Sequence, residues 1–177
     1  APLAGRRAVI TAGPTHEPVD AVRFLGNRSS GKMGLALARE LAQRGAEVDL
    51  VCGPISEELR DELLAEQSDL AQPLIRLINV ETALEMHAAA LEALAREPAC
   101  DLIIGAAAVA DARPAVAIDG KASGAALPYQ IELVRNPDIL ADLSARRPAS
   151  CFAVGFSLAS DDGLEAAKRK LVSKKCD

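Results

Sequence analysis

Short apolar runs rich in β-branched residues alternate along this chain with segments whose leucines and alanines recur at helical spacing, and no other feature narrows its fold so far. The first run, Ala8-Val9-Ile10-Thr11-Ala12-Gly13, ends at Gly13-Pro14. After a long polar connection, Met33 to Arg44 predicts a helix through Leu35, Leu37, Ala38 and Leu41, with Gly45 as its stop. A second strand follows at 47–52 and a third at Leu74 to Val80, with the charged stretch 55–72 between them read as a loop with a short helix. Thr82 caps a predicted helix to about Glu97, with Leu84, His87, Leu91 and Leu94 on one face. Residues 101–109 form a fourth strand, 110–128 a loop and Tyr129 to Val134 another strand. Asn136-Pro137-Asp138 starts a short helix, Cys151 to Phe156 is a last strand, and a charged helix runs from about Asp162 to Lys174. Runs that are apolar without alternation are buried on both faces, which predicts an α/β, Rossmann-like, mostly parallel sheet with helices on both faces. In such sheets ligands bind beyond the carboxyl ends of the strands.

Composition excludes several functions. The 177 residues carry a net charge of −5 and include one Tyr, three Phe and no Trp. That leaves no aromatic platform for single strands and no general affinity for a phosphate backbone, so nucleic acid is not an expected partner. The cysteines, Cys52, Cys100, Cys151 and Cys176, are scattered and form no Cys/His cluster, which reads as free thiols rather than structural zinc. With no signal-like amino terminus and no run long enough to span a bilayer, the chain reads as soluble and cytoplasmic.

The segment richest in chemistry is Gly26-Asn27-Arg28-Ser29-Ser30-Gly31-Lys32-Met33-Gly34, leading into the first helix. Glycines expose backbone N–H groups, serines add hydroxyls and the helix start adds partial positive charge, which together make a phosphate cradle. A helix start capped by Ser29 or Ser30 is the plainer alternative. The spacing nearly matches a P-loop, but Met33 stands where magnesium needs a hydroxyl, and the loop lies too far from the first strand. A dinucleotide fingerprint is absent, which disfavours a nicotinamide-dependent reductase.

Thr11-Ala12-Gly13-Pro14-Thr15-His16-Glu17-Pro18-Val19-Asp20, then Val22-Arg23-Phe24, then Asn27 to Gly34, resembles the opening of phosphopantothenoylcysteine synthetases. Ala106-Ala107-Ala108-Val109-Ala110-Asp111, Asn136-Pro137-Asp138-Ile139-Leu140 and Val154-Gly155-Phe156 resemble later blocks of the same family, in order, across nearly the whole chain. The resemblance implies a ligase joining 4′-phosphopantothenate to L-cysteine through an acyl-nucleotide, at the expense of CTP or ATP with Mg2+. It implies that Asn27 hydrogen-bonds the acyl-nucleotide and that Arg28 lies at the substrate. Gly13, Ser29, Ser30, Gly31, Ala107, Gly155 and Phe156 would line the nucleotide, and Asp111 would sit at the nucleotide or its magnesium. Lys121 would be the catalytic lysine of a mobile flap, in keeping with a loop of 110–128 that has no periodicity. For Asp111 a loop cap, for Phe156 a core position and for Lys121 ordinary solvated surface are the plain alternatives.

The family's pattern is broken in three places. Ala122, Ser123 and Gly124 follow Lys121 where the flap usually has more lysines, and Ala159 stands where a Glu is common. The family also continues past Asp177, so 1–177 reads as a single nucleotide-binding ligase domain truncated at its carboxyl end. Residues 3–7 resemble the junction behind a flavoprotein decarboxylase, to which the family is often fused, and the resemblance implies a homodimer. The competing function is a non-catalytic nucleotide-binding or scaffold domain that keeps the cradle; nucleotide binding without pyrophosphate release would separate the two.

Overall fold

In the computed structural model, residues 1–68, 73–124, 130–157 and 163–177 are described. Tyr129, Ala159 and Asp162 lie outside them. Five parallel strands form the central sheet: β1 (Arg7–Ala12), β4 (Glu47–Cys52), β5 (Ile75–Asn79), β6 (Leu102–Gly105) and β9 (Phe152–Gly155), in the order β5-β4-β1-β6-β9. Two small antiparallel hairpins stand apart from it, β2 (His16–Pro18) with β3 (Phe24–Gly26) and β7 (Ala112–Pro114) with β8 (Leu133–Arg135). The helices are α1 (Lys32–Gln43), α2 (Glu57–Ser68), α3 (Ala83–Ala95), α4 (Ile139–Arg146) and α5 (Gly163–Ser173).

The unbroken apolar strands have the expected cause. Val9, Val51, Ile103 and Ala153 pack with Met86, Ala90 and Leu143 of α3 and α4. Their chain neighbours Ala8, Ile10, Leu50 and Ile104 pack with Leu35, Ala38 and Leu63 of α1 and α2. A period of two thus feeds two cores, and each fully buried side chain such as Ile10 contributes about 1.5–3 kcal/mol.

Four expectations need correction. The charged stretch after β4 is a full twelve-residue helix, because Leu63 is wholly buried and Glu62 and Glu66, one turn apart, both reach Arg39 of α1. The inner face of α3 is Ala83, Met86, Ala90, Ala93 and Leu94, leaving Leu84 46% exposed; alanines let the helix lie close to the sheet. The fourth strand ends at Gly105 rather than Val109. The polar connection and the long loop each contribute hairpin strands, and the strand expected over 129–134 is Leu133–Arg135.

Candidate functional site

The sheet order reverses at β1, which has β4 on one side and β6 on the other, so the segments leaving β1 and β6 diverge to opposite faces and open a crevice. Glycines build its floor. Gly13 and Gly31 have φ of 75° and 77°, a region L side chains avoid. A Cβ on Gly31 would lie 2.6 Å from Ile55 Cγ2 and 3.3 Å from Gly13 Cα, and one on Gly53 would lie 1.7 Å from the Pro14 carbonyl oxygen. Three loops therefore touch backbone to backbone.

Gly31 is the N-cap of α1, in the left-handed conformation, and among the described residues no side chain caps the helix. Its first turn has no acidic residue. Ser29 Oγ accepts the Gly31 N–H at 3.3 Å, a bond within the loop, and Ser30 is exposed, so neither serine caps α1. A Cβ on Gly34 would fall 2.4 Å from Ala12 Cβ, which shows how closely the first turn of α1 lies on the end of β1. The open amide end of this helix and the exposed Arg28 and Lys32 can hold an anion.

Asn27 joins this loop to the segment after β6: its Nδ2 donates to the Val109 carbonyl at 2.9 Å. That segment is fixed to β1 by Ala106 N–H on Thr11 O (3.0 Å) and Ala108 N–H on Gly13 O (2.8 Å). The buried Thr15 hydroxyl accepts the Ala110 N–H at 3.0 Å. Ala107 is half-buried within this segment, and Asp111 at its end is exposed. The Asn136 N–H anchors the Asp111 backbone, donating to its carbonyl at 2.9 Å. Asn136 Nδ2 in turn donates to Ala110 O at 2.9 Å, which is what the Asn136-Pro137-Asp138 block does, while Asp138 caps α4 by accepting the Ala141 N–H.

Gly155 ends β9 opposite Gly105 of β6, and Cβ atoms there would lie 2.6 and 3.0 Å from Leu140 Cδ2. The α4 leucine thus spans both strand ends, a packing reason for these glycines. Phe156 is 49% exposed, so it is not a core residue. Lys121 is exposed, and its neighbours are tied to the turn between β2 and β3 rather than to the cradle.

Sequence reasoning passed over one wall of the site. The His16 and Phe24 rings stack with centroids 3.7 Å apart and planes inclined by 17°. Together with Asn27, Arg28, Ser29, Pro54, Ile55 and Leu59 they line an open cleft of about 490 Å³. The hairpin pairing His16↔Gly26 brings the two rings together, and a hairpin of three-residue strands has no periodicity to betray it. Behind it the buried Glu17 accepts the Ala83 N–H at 2.9 Å, setting a carboxylate on the start of α3.

Among the described residues no group of three His, Cys, Asp or Glu side chains could hold a metal, and no helix is long and apolar enough to cross a membrane. Burial pushes the Cys52 thiol up to about 11 and the Cys151 thiol up to about 12, so neither is a nucleophile near neutrality.

The sequence matches the DNA/pantothenate metabolism flavoprotein C-terminal domain family over residues 3–177. The chain belongs to that family. Its relatives include the coenzyme A biosynthesis bifunctional protein CoaBC of Vibrio cholerae, 40% identical over 99% of this chain and 41% of that protein. The CoaBC of Escherichia coli K12 is 38% identical over 96% of this chain and 39% of that protein. A protein named cysteine/cysteine sulfinic acid decarboxylase, from an unknown prokaryote, is 43% identical over 99% of this chain and 45% of its own length. The chain therefore spans less than half the length of these curated relatives. Among solved structures, the C-terminal domain of CoaBC superposes with a TM-score of 0.75 at 36% identity, covering 98% of this chain and 75% of that one. The DNA/pantothenate metabolism flavoprotein of Streptococcus pneumoniae, at 18% identity and a TM-score of 0.73, shares the fold.

Proposed function

We propose that this domain is the phosphopantothenate–cysteine ligase of coenzyme A synthesis. The observation that carries the reading is the uncapped, glycine-built start of α1, set at the reversal of strand order beside Asn27. The relatives named for coenzyme A biosynthesis and the 36% identical CoaBC domain support it.

In the reaction, a carboxylate oxygen of 4′-phosphopantothenate attacks the α-phosphorus of a nucleoside triphosphate. The bond to the bridging oxygen breaks and pyrophosphate leaves, giving an acyl-nucleotide. The cysteine amino nitrogen then attacks the acyl carbon, loses a proton and expels the nucleoside monophosphate. No protein nucleophile is needed, only orientation and stabilisation of developing charge. The start of α1, with Ser29, Ser30 and Gly31, holds phosphate, and Gly13, Ala107, Gly155 and Phe156 line the nucleotide. Asn27 Oδ1 has no partner among the described residues, and the amide orients the acyl-nucleotide from a position braced by Val109. Arg28 answers negative charge on the substrate, and Lys121 closes over the phosphoryl oxygens.

Mg2+ fits as a nucleotide-borne ion: the exposed Asp111 carboxylate would help hold it, and it would supply positive charge against the phosphates. CTP is the proposed co-substrate ahead of ATP, and fusion to a flavoprotein decarboxylase is the proposed setting. The proposed homodimer has an apolar patch to bury, since Val22, Phe24, Val116, Ile131 and Leu133 on the two hairpins are 40–80% exposed.

The test is pyrophosphate release with CTP or ATP, Mg2+ and 4′-phosphopantothenate, with and without cysteine, in wild type, Asn27→Ala and Lys121→Ala. Adduct formed by wild type and a slowed first step in Lys121→Ala are expected. A nucleotide-binding scaffold is the second reading, favoured by the small residues Ala122, Ser123 and Gly124 in the flap. CTP bound without pyrophosphate release would establish it instead.

A further inference from the structure

The flap carrying Lys121 is tied on both sides of that residue. Ala21 N–H donates to Gly120 O at 3.0 Å, and Ile118 N–H to Val19 O at 2.9 Å. On the other side, Ala122 is 3% exposed; its N–H donates to Asp20 Oδ2 at 3.2 Å, and its carbonyl accepts Arg23 Nη1 and Nη2, each at 3.3 Å. Asp20 is the hub. Its Oδ1 accepts the Val22 and Arg23 N–H groups at 2.8 and 2.7 Å, its Oδ2 pairs with Arg23 Nη1 at 2.6 Å, and its side chain is fully buried. The Val22 N–H, helped by those of Arg23 and Ala122, holds the Asp20 carboxyl below the usual carboxylate range against the opposing pull of burial.

Asp20 Oδ1 alone accepts both N–H groups of the turn, those of Val22 and Arg23. The second oxygen and the guanidinium it orients are spent on a segment about a hundred residues away in sequence. Gly120 and Gly124, with φ of 70° and 55°, bracket the segment, and no atom lies within 4 Å of a notional Cβ on either. Lys121 thus stands between two backbone ties, Gly120 to Ala21 and Ala122 to Asp20, and the second is the one made by a side chain.

We infer that Asp20 is a positioning residue, which clamps the flap at Ala122 and thereby fixes the backbone from which Lys121 reaches the site. The inference deepens the ligase reading and rests on its assignment of Lys121. It also explains how a flap with one lysine where several are usual can work: a single ammonium must be placed more narrowly than several.

The experiment combines two readouts on the full chain. Amide hydrogen exchange at Ala122 and Ala21, without substrate, should quicken in Asp20→Asn and in Asp20→Ser. The serine hydroxyl can still cap the turn but is too short to reach Ala122. The first-step rate, read as pyrophosphate release from CTP, Mg2+ and 4′-phosphopantothenate, should fall on the order of 10- to 100-fold in either variant, the loss expected from a group displaced by about 1 Å. The KM for CTP should change little. In a Lys121→Ala background the same substitutions should cost almost nothing more, because they act on one group. Unchanged exchange at Ala122 would overturn the clamp. Quickened exchange with rate losses that multiply in the double variant would overturn the link to Lys121, leaving a structural brace. If wild type released no pyrophosphate, the ligase reading itself would fall and the positioning role with it, while exchange still reported on the clamp.

Discussion

At the amino end of the parallel sheet, Arg7, Asp49, Arg76 and Arg96 converge; at the carboxyl end stand Gly13, Gly31, Gly53, Gly105 and Gly155. Both ends meet the same difficulty, backbone polar groups where strands and helices stop, and they solve it in opposite ways. Arg7 is 1% exposed, and its guanidinium caps the last turn of α3, donating to Ala93 O, Leu94 O, Arg96 O and Pro98 O at 2.6–3.3 Å. Asp49 balances it at 2.7 Å, and Arg76 and Arg96 take up its other lone pairs. The Arg7 guanidinium and the Asp49 carboxylate are thus answered from within the chain. At the other end the start of α1 is left open, and the close approach of three backbones replaces side-chain partners. The difference teaches how a helix end can be left for an outside group: among the described residues, the start of α1 has no side-chain cap, whereas α3 and α4 have one.

Breaking the closed end should cost most. Asp49→Ala strands the buried Arg7 guanidinium, and we expect a loss of about 3–5 kcal/mol in urea unfolding, with nucleotide affinity of the remaining folded protein little changed. A loss of affinity without a loss of stability would erase the distinction between the ends. At the open end Gly31→Ala forces a side chain into the left-handed region at about 1–2 kcal/mol and drives a Cβ towards Ile55. There the order should invert: CTP binding by calorimetry should weaken by more than stability falls.

Smaller effects sharpen the contrast. The Arg7 N–H and the Arg6 guanidinium hold the Asp101 carboxyl below its usual range. A carboxyl depressed in the folded state contributes stability that is complete above the unfolded value of about 4 and is lost as pH falls through the folded one. Urea midpoints should therefore drop below about pH 4, and Asp101→Asn should flatten that drop. Smallest of all, a thiol reagent near neutral pH should label the half-exposed Cys176 of the native chain, leaving the buried Cys52, Cys100 and Cys151 for denaturant. Mass spectrometry of the labelled peptides checks it.

How legible each end was follows from the same contrast. Strands such as Val9-Ile10 announced the sheet because burial on two faces demands unbroken apolar runs. Gly31 announced the tight loop before α1 because glycine is the residue type suited to a positive φ. The arginine cluster was hidden: Arg7 lies beside Arg6 in sequence, and only the register Arg7↔Glu47 brings it near Asp49. The Asp20 turn carries no sign of its role in sequence, since its second oxygen acts on a residue 102 positions away. Leu84 misled because a leucine at helical spacing looks buried, whereas α3 uses alanines to approach the sheet.

The strand order has a consequence in time. β1 is made first and sits at the centre, yet its neighbour β6 pairs Ala8 with Leu102. A ribosome adding about 5–20 residues per second needs roughly 5–20 s to cover that interval. Throughout it one edge of a strand buried along its whole length has no partner, so the nascent domain depends on whatever shields that edge until residue 105 has left the exit tunnel.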